Sequence, residues 1–429
     1  MTLKPNQLIL VALTALLAIS AVPAFAQFTI VGEIRPRAEF RNGFKSLTTD
    51  DTDAAFFVEQ RSRLYLWFKD PKYSFQLTLQ DVRLWGENSQ IYKSDNSLFN
   101  VYEAWGAYHF SDNFLFKAGR QALNYDNARI LGDLAWAQQA RSHDLLKAEY
   151  SANDFSFHIG AAFNQEDVLS RPEPARLVST FYQGVNNYKT MQFLWLNKKY
   201  EKGTVSLLLL NNGIQAADSS VNFSQTYGLY AKNNLGKLSL TTELYIQSGK
   251  TASGQELFAG MGAIAADLKT GSSVIGIGGD YLSGSDFDES SGNSFTPLYG
   301  TNHKFYGFMD YFYVGNPFGD VGLIDLYVKL KFALGEKSSL VTFVHNFSAG
   351  VDMSENYIAA QDNQLGTEVD IVYNLNIDKA VNLKVGYSQM FASENMELLK
   401  TGDSNATNNW AWAMLTIKPQ LFKSGDKDK

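Results

Sequence analysis

The chain has 429 residues, and its formal net charge of −7 is too mild to indicate a nucleic-acid partner, so none is predicted. It contains no cysteine, which excludes disulfide bonds and a lipoprotein anchor. Aromatic residues make up 14% of the chain, and Gly outnumbers Pro 33 to 9. This composition, without a long apolar run after residue 26, is typical of an outer-membrane β-barrel rather than of a soluble enzyme.

The first 26 residues have the features of a secretory signal peptide. Lys4 supplies a positive charge, residues 8–19 form an apolar run, and Ala24-Phe-Ala26 is an A-x-A cleavage site. A membrane anchor is the alternative, but the run is shorter than the roughly 20 residues that span a bilayer. We therefore predict a signal peptide over residues 1–26, a barrel over residues 27–422 and a polar tail over residues 423–429.

Segments of alternating polarity begin directly after the signal peptide. Over residues 28–41 the even positions are mostly apolar, whereas the odd positions include the charged residues Glu33, Arg35, Arg37, Glu39 and Arg41. A period of two places one face of a strand in lipid and the other face in a wet lumen. Further strands follow the same pattern, and a slip in phase near Asp81 is interpreted as a bulge.

Short turns and longer polar connections alternate along the chain. Eight turns are predicted near residues 70–72, 111–113, 151–154, 200–203, 233–236, 269–272, 334–338 and 376–379. Nine connections are predicted near residues 42–56, 86–98, 121–140, 164–189, 211–223, 248–255, 283–321, 349–363 and 393–409. Together they join about eighteen strands in an all-β, antiparallel transmembrane barrel with short periplasmic turns and long extracellular loops.

The longest connection, residues 283–321, contains an aromatic stretch from Leu298 to Tyr313. Its second half could be a further membrane strand or part of a loop that folds into the lumen. A nineteenth strand would put the later turns on the wrong side of the membrane, so parity favours the loop, with an extracellular cap as the alternative. An eighteen-strand bore has room for such a loop. The predicted lumen-loop site residues are His303, Lys304, Tyr306 and Asp310.

All eleven arginines precede residue 180. Because neighbouring strands lie about 4.8 Å apart, those on the first two strands can form a ladder on one side of the lumen. The guanidinium fork suits carboxylates, which predicts an anion-binding pore lining. The predicted lining residues are Arg35, Arg37, Arg61, Arg63, Arg83, Arg120, Arg129 and Arg141. A structural network with neighbouring carboxylates such as Glu33 and Glu59 is the alternative, and the two interpretations are compatible.

No constellation in the sequence indicates catalysis or a resident metal. The five histidines lack metal-ligand spacing. Ser142, His143 and Asp144 are consecutive, so on a strand they point to opposite faces and do not converge. The acidic stretch from Ser283 to Glu289 is interpreted as a solvated loop tip, with a Ca²⁺ site as the alternative. We predict neither enzyme activity nor a cofactor.

Three stretches of the chain resemble the alginate export family of outer-membrane porins. They are Phe116-Lys-Ala-Gly-Arg-Gln121 with Asn124-Tyr125 and residues 129–132, then residues 136–144, then residues 295–310. The third is the most specific, since it contains Leu298-Tyr-Gly-Thr-Asn-His-Lys304 and Gly307-Phe-Met-Asp310. The resemblance implies an eighteen-stranded barrel with an electropositive, arginine-lined constriction that passes an anionic polyuronate outward.

The sequence thus predicts an integral protein of the cell outer membrane that acts as a passive, selective channel. The expected solute is an acidic polysaccharide such as alginate, its fragments, or another anion. Expected partners are outer-membrane lipid and lipopolysaccharide, and we expect a monomer. The alternative is a barrel used mainly as an adhesive or structural surface, with its pore occluded by the long loop.

Overall fold

The computed structural model describes residues 26–89, 91, 99–165, 181–182, 187–285, 292–313, 320–353 and 362–424. The predicted signal peptide apart from Ala26, the acidic side chains from Asp286 to Glu289, and the tail after residue 424 lie outside this part. In the described part, no helix is long and apolar enough to cross a membrane.

The regular secondary structure of the described chain is almost entirely β-strand, as the alternating pattern predicts. The first strands are β1 (Gln27–Asn42), β2 (Ala55–Lys69), β3 (Tyr73–Leu84), β4 (Phe99–Ser111), β5 (Phe114–Gln121), β6 (His143–Ala152), β7 (Phe155–Phe163), β8 (Thr190–Tyr200) and β9 (Gly203–Gln215). The others are β10 (Val221–Leu235), β11 (Leu238–Lys250), β12 (Glu256–Thr270), β13 (Ser273–Leu282), β14 (Leu323–Ala333), β15 (Ser338–Ser348), β16 (Gln364–Asn376), β17 (Val381–Ala392), β18 (Asn408–Ile417) and β19 (Gln420–Lys423). A helix α1 (Glu394–Lys400) and a 3₁₀ turn (Asn302–Lys304) lie in connections.

The strands close into one antiparallel barrel. Each pairs with its neighbours in sequence, and β1 pairs with β2 on one side and with β18 and β19 on the other. Since β18 and β19 both continue along β1 and are separated only by Lys418 and Pro419, they form one interrupted wall strand. The wall therefore has eighteen strands, which confirms the predicted number and leaves no free sheet edge.

Alternation places the charged face of the early strands inward. On β1, Glu33, Arg35 and Arg37 are buried, whereas the intervening Ile34 is 49% exposed. Exposed apolar residues recur on the outer face of later strands, such as Leu244 and Ile277. An apolar outer band around a polar interior is the arrangement that a barrel needs in lipid.

All eight predicted turns join strands at one end, and the longer connections join them at the other. Two details differ from the prediction. The connection placed at residues 211–223 spans only residues 216–220, because β9 continues through the polar Asn211 and Asn212 to Gln215 and β10 already begins at Val221. The slip placed near Asp81 is absent, since β2 and β3 pair without a shift as far as Leu84; the irregularity lies on β4, opposite Thr78 and Leu79.

The apolar core lies inside the barrel, between the wall and two inward-folded connections. We call residues 122–142 the first lumen loop and the described part of the longest connection, residues 283–285, 292–313 and 320–322, the second lumen loop. The prediction that the aromatic stretch of the second loop folds into the lumen is confirmed, because Tyr306, Tyr311 and Phe312 are at most 1% exposed. The inward fold of the first lumen loop was not predicted, although Leu123, Ile130 and Leu131 are equally buried.

Candidate pore and lumen loops

The two lumen loops are joined to each other by backbone hydrogen bonds. Tyr299 N donates to Ile130 O (3.0 Å), Gly132 N donates to Tyr299 O (2.9 Å), and Thr301 N donates to Ala128 O (2.8 Å). A side chain at Gly132 would collide with Thr301, so this close approach requires glycine. The two loops therefore form one connected layer inside the bore.

Arginines of β1 and β2 hold one end of the first lumen loop. Arg35 Nη1 donates to Ala135 O (2.8 Å), Arg37 Nη1 donates to Trp136 O (2.9 Å), and Arg61 Nη1 donates to Ala135 O (3.2 Å). The buried arginine ladder thus satisfies loop carbonyls that would otherwise lack partners away from water.

Carboxylates neutralise only part of this ladder. Arg37 pairs with Glu39 (2.7 Å) and Glu59 (3.1 Å), and Arg61 pairs with Glu33. Among the described residues, Arg35 and Arg63 have no carboxylate partner; the guanidinium of Arg63 lies 3.7 Å from the centre of the Tyr102 ring. The ladder is therefore both a structural network and a local excess of positive charge.

Arg129 fastens the first lumen loop to the opposite wall. Its guanidinium donates to Asp280 on β13 (2.8 Å), Glu243 on β11 (3.1 Å) and Tyr306 of the second lumen loop (3.0 Å), and it lies 3.6 Å from the centre of the Phe305 ring. Burial by itself would lower the pKa of Arg129, but its acidic neighbours outweigh burial and raise it. Because β11 and β13 lie about half-way round the wall from β1, the first lumen loop crosses the bore.

The second lumen loop is fixed from the wall as well. Met309 N donates to the Glu368 carboxylate on β16 (2.9 Å), and Lys45 N donates to Met309 O (3.0 Å). His303 stacks on Trp136, with ring centres 4.3 Å apart, and its Nδ1 is 2.8 Å from the Asp310 carboxylate. Of the four predicted lumen-loop residues, His303, Lys304 and Tyr306 line a cavity in the bore, whereas Asp310 is occupied in pairing with His303.

The lumen loops lie between two cavities. The outer vestibule, on the loop side, has a volume of about 870 Å³ and is lined by residues that include Arg141, Tyr188, Asn212, Lys250 and Tyr299. The inner vestibule, on the turn side, has a volume of about 450 Å³ and is lined by residues that include Lys232, Lys304, Tyr327, Lys329 and Lys384. Residues of the two lumen loops line both vestibules, Arg141 and Tyr299 the outer one and Trp136 and Tyr306 the inner one, so the loop layer separates them and is the constriction.

The other predicted pore residues lie in different surroundings. Arg141 lines the outer vestibule and donates to Gly300 O (3.1 Å). Arg120 borders the rim of the same vestibule and pairs with Asp144 (2.7 Å); both are about half exposed and lie on the strand face that carries the outward-facing Phe116 and Leu146. Arg83 pairs with Asp81 and lies on the strand face that carries the outward-facing Leu79, because β3 has no slip in phase there. Arg83 is thus placed outside the lumen.

Sequence reasoning singled out Lys304 but not the lysines that the barrel wall contributes to the inner vestibule. Lys232, Lys329 and Lys384 lie on the inward faces of β10, β14 and β17, each near the turn end. Their positions in the alternating pattern could have identified them, since each lysine lies at a position that faces the lumen.

Comparison with known proteins bears on what this barrel does. The family model described as "Alginate export" matches residues 27–411. A search of curated proteins finds no match.

Solved structures with a similar fold include three outer-membrane proteins. Acinetobacter baumannii OccAB4 has 9% identity and a TM-score of 0.62, with 93% of this chain and 100% of that chain covered. Pseudomonas aeruginosa OccK2 (OpdF), solved in complex with glucuronate, has 12% identity and a TM-score of 0.58, with 92% and 97% covered. Pseudomonas aeruginosa OpdK, solved with vanillate, has 9% identity and a TM-score of 0.58, with 91% and 98% covered. At these identities the likeness concerns the fold.

Proposed function

We propose that this chain, which belongs to the alginate export family, passes anionic solutes across the outer membrane, most specifically an acidic polysaccharide such as alginate or its fragments. It is an outer-membrane β-barrel channel for solutes and not an enzyme, as its family and its structural neighbours indicate. The proposal therefore concerns which solute passes.

The charge of the outer vestibule carries this proposal. Its described lining contains three cations, Arg120, Arg141 and Lys250, and one acid, Asp144, which pairs with Arg120. Arg141 and Lys250 are thus not neutralised by a carboxylate of the described lining. A fixed excess of positive charge in a narrow, low-dielectric entrance raises the local concentration of anions.

The remaining lining suits a sugar acid. The half-buried amide side chains of Asn164 and Asn187 can hydrogen-bond hydroxyl groups, and the half-buried Tyr182 and Tyr313 offer aromatic surface. Arg141 Nη1 donates to Gly300 O, which holds the guanidinium in the cavity lining, where its other N–H groups can donate to a carboxylate. Sites for small molecules typically combine aromatic surface with a small number of polar groups of fixed orientation.

Other parts of the proposal concern the surroundings of the barrel. We expect residues 1–26 to be removed on export. We expect the mature barrel to be a monomer whose outward apolar band contacts outer-membrane lipid and lipopolysaccharide. The match to an export family supports outward transport as the working direction.

Reversal potentials in planar bilayers test the proposed selectivity. In a tenfold KCl gradient the wild-type channel should reverse toward the chloride equilibrium potential. Arg141→Gln combined with Lys250→Gln should reduce this shift by at least about half, because it removes the uncompensated charge of the outer vestibule.

The matched control is Lys198→Gln combined with Lys202→Gln. It removes the same charge at the turn end of the barrel, far beyond the Debye length of about 10 Å at 0.1 M salt, and should leave the reversal potential unchanged. A cation-selective wild type would contradict the proposal. The complete absence of conductance steps would favour an occluded barrel that acts as a surface protein.

A further inference from the structure

We propose that the inner vestibule is a second binding site, which takes a carboxylate carried on a six-membered ring, either a sugar acid or an aryl carboxylate. This inference rests on the proposed passage of anionic solutes and adds a binding position on the turn side of the loop layer.

The size and walls of the inner vestibule fit a small ring. Its volume of about 450 Å³ lies within the range of small-molecule pockets, roughly 300–1,000 Å³. One wall is formed by the lumen loops, through Trp136 and residues 303–308, and the other by the barrel strands. A solute that passes the constriction therefore enters a defined chamber rather than open solvent.

The acids of this chamber are already paired. Glu243 and Asp280 pair with the buried Arg129, Asp325 hydrogen-bonds His345 (2.9 Å), and Asp267 pairs with Lys329 (2.9 Å). Glu243, Asp280 and Asp325 are also buried, so they offer little charge to a solute.

Three lysines of the chamber have no such compensation. Lys232, Lys304 and Lys384 line the cavity, and among the described residues none of them has a carboxylate partner. Lys304 donates instead to the backbone oxygen of Asn127 (3.1 Å), which holds its ammonium group at the cavity wall. The charge accessible to a solute is therefore positive.

Aromatic rings stand beside these ammonium groups. Phe305, Phe308 and Tyr327 line the cavity and are half-buried. The ring of Tyr327 lies over Gly278 of the neighbouring strand, where a side chain would collide with it, so this glycine makes room for the ring in the chamber wall. A solute whose ring stacks on one of these aromatic side chains, and whose carboxylate reaches a lysine, would contact both the aromatic rings and the ammonium groups.

Tryptophan fluorescence of the folded, detergent-solubilised protein tests this site, because Trp136 and Trp412 line the chamber. The probes are glucuronate, benzoate and glucose. We expect saturable signals with glucuronate, benzoate or both, and none with glucose. Lys232→Gln combined with Lys384→Gln should raise the Kd at least about tenfold, since charge-assisted hydrogen bonds are lost.

Two further variants keep the test specific. Lys384→Arg retains the charge and should retain binding, whereas Lys198→Gln combined with Lys202→Gln removes charge outside the chamber and should not change the Kd. Binding of glucuronate alone or benzoate alone would identify the ring type. Equal binding of glucose, or a Kd unchanged in the chamber variant, would overturn the site.

This binding assay does not require ion conduction. If the channel lacks anion selectivity in bilayers while glucuronate still binds through Lys232 and Lys384, the proposed function fails and the site stands. If selectivity is found but the binding is absent, only the second site fails.

Discussion

Deleting residues 301–312 should raise the single-channel conductance at least about twofold while the barrel still assembles, because an eighteen-strand wall encloses an aqueous bore that the lumen loops narrow. No wall strand is lost, since β13 ends at Leu282 and β14 begins at Leu323. The deletion removes the aromatic centre of the second lumen loop, which includes Tyr306 and Tyr311, and the hydrogen bond from Thr301 N to Ala128 O. Conductance in planar bilayers measures the effect, and discrimination between anions should fall with it.

The control deletion removes residues 217–219 from the short connection between β9 and β10. These residues lie in a short loop at the same end of the barrel and outside the loop layer, so conductance should not change. Unchanged conductance after deletion of residues 301–312 would show that ions follow a path that avoids the second lumen loop. Failure of the barrel to assemble would show that the loop is needed for folding.

Replacing Arg129 with Met should release the first lumen loop from the wall. Arg129 is 3% exposed and faces Asp280 and Glu243, which are 4% and 1% exposed. Removing one partner of a buried ion pair leaves an uncompensated buried charge and typically costs roughly 3–5 kcal/mol. We expect the docked position of the first lumen loop to be destabilised by that amount. The amides of residues 125–132 should therefore exchange their hydrogens faster.

Two variants show whether the charge is the cause. Adding Asp280→Asn and Glu243→Gln to Arg129→Met should restore much of the protection, because no unpaired carboxylate then remains. Arg83→Met removes an exposed pair of the kind that contributes only about 0–1 kcal/mol, and it should leave exchange in the loop unchanged. Unaltered exchange in Arg129→Met would contradict a clamp at this residue.

The contacts of the arginine ladder help to decide between the two interpretations of these residues. Arg37 and Arg61 form ion pairs with Glu39, Glu59 and Glu33. They also donate hydrogen bonds to loop carbonyls, so their main role is to hold the constriction in place. The uncompensated positive charges accessible to a solute lie instead at Arg141 and the vestibule lysines. Selectivity is therefore expected from the vestibules more than from the ladder.

The wall of the barrel could be predicted from sequence because a strand with one face in lipid must alternate. That rule places Glu33 and Arg35 inward and Ile34 outward without knowledge of any distant residue. The number of strands followed from the alternation of turns and loops. Parity also predicted that the aromatic stretch is a loop, since a nineteenth strand would have put the later turns on the wrong side of the membrane, and the width of the bore left room for that loop inside.

The individual contacts of the constriction could not be predicted from sequence, because they join residues that are far apart in the chain. The bond from Arg129 to Asp280 and the bridge between Leu131 and Tyr299 have no local signature. The apolar residues Leu123, Ile130 and Leu131 within a connection were a usable signal that the first lumen loop is buried. A bulge near Asp81 was wrongly predicted because two polar residues near the end of β3, Asp81 and Arg83, lie on its outward face, where the alternating pattern leads one to expect apolar residues.

Solute entry into proteoliposomes tests the central claim most directly. The mature barrel is reconstituted into liposomes, and the entry of glucuronate is compared with that of glucose, a ring of similar size without the carboxylate. The account predicts that glucuronate enters severalfold faster, because positive charge at both vestibules raises its local concentration. Equal entry of both sugars would contradict anion selectivity, and entry of neither would contradict a conducting channel.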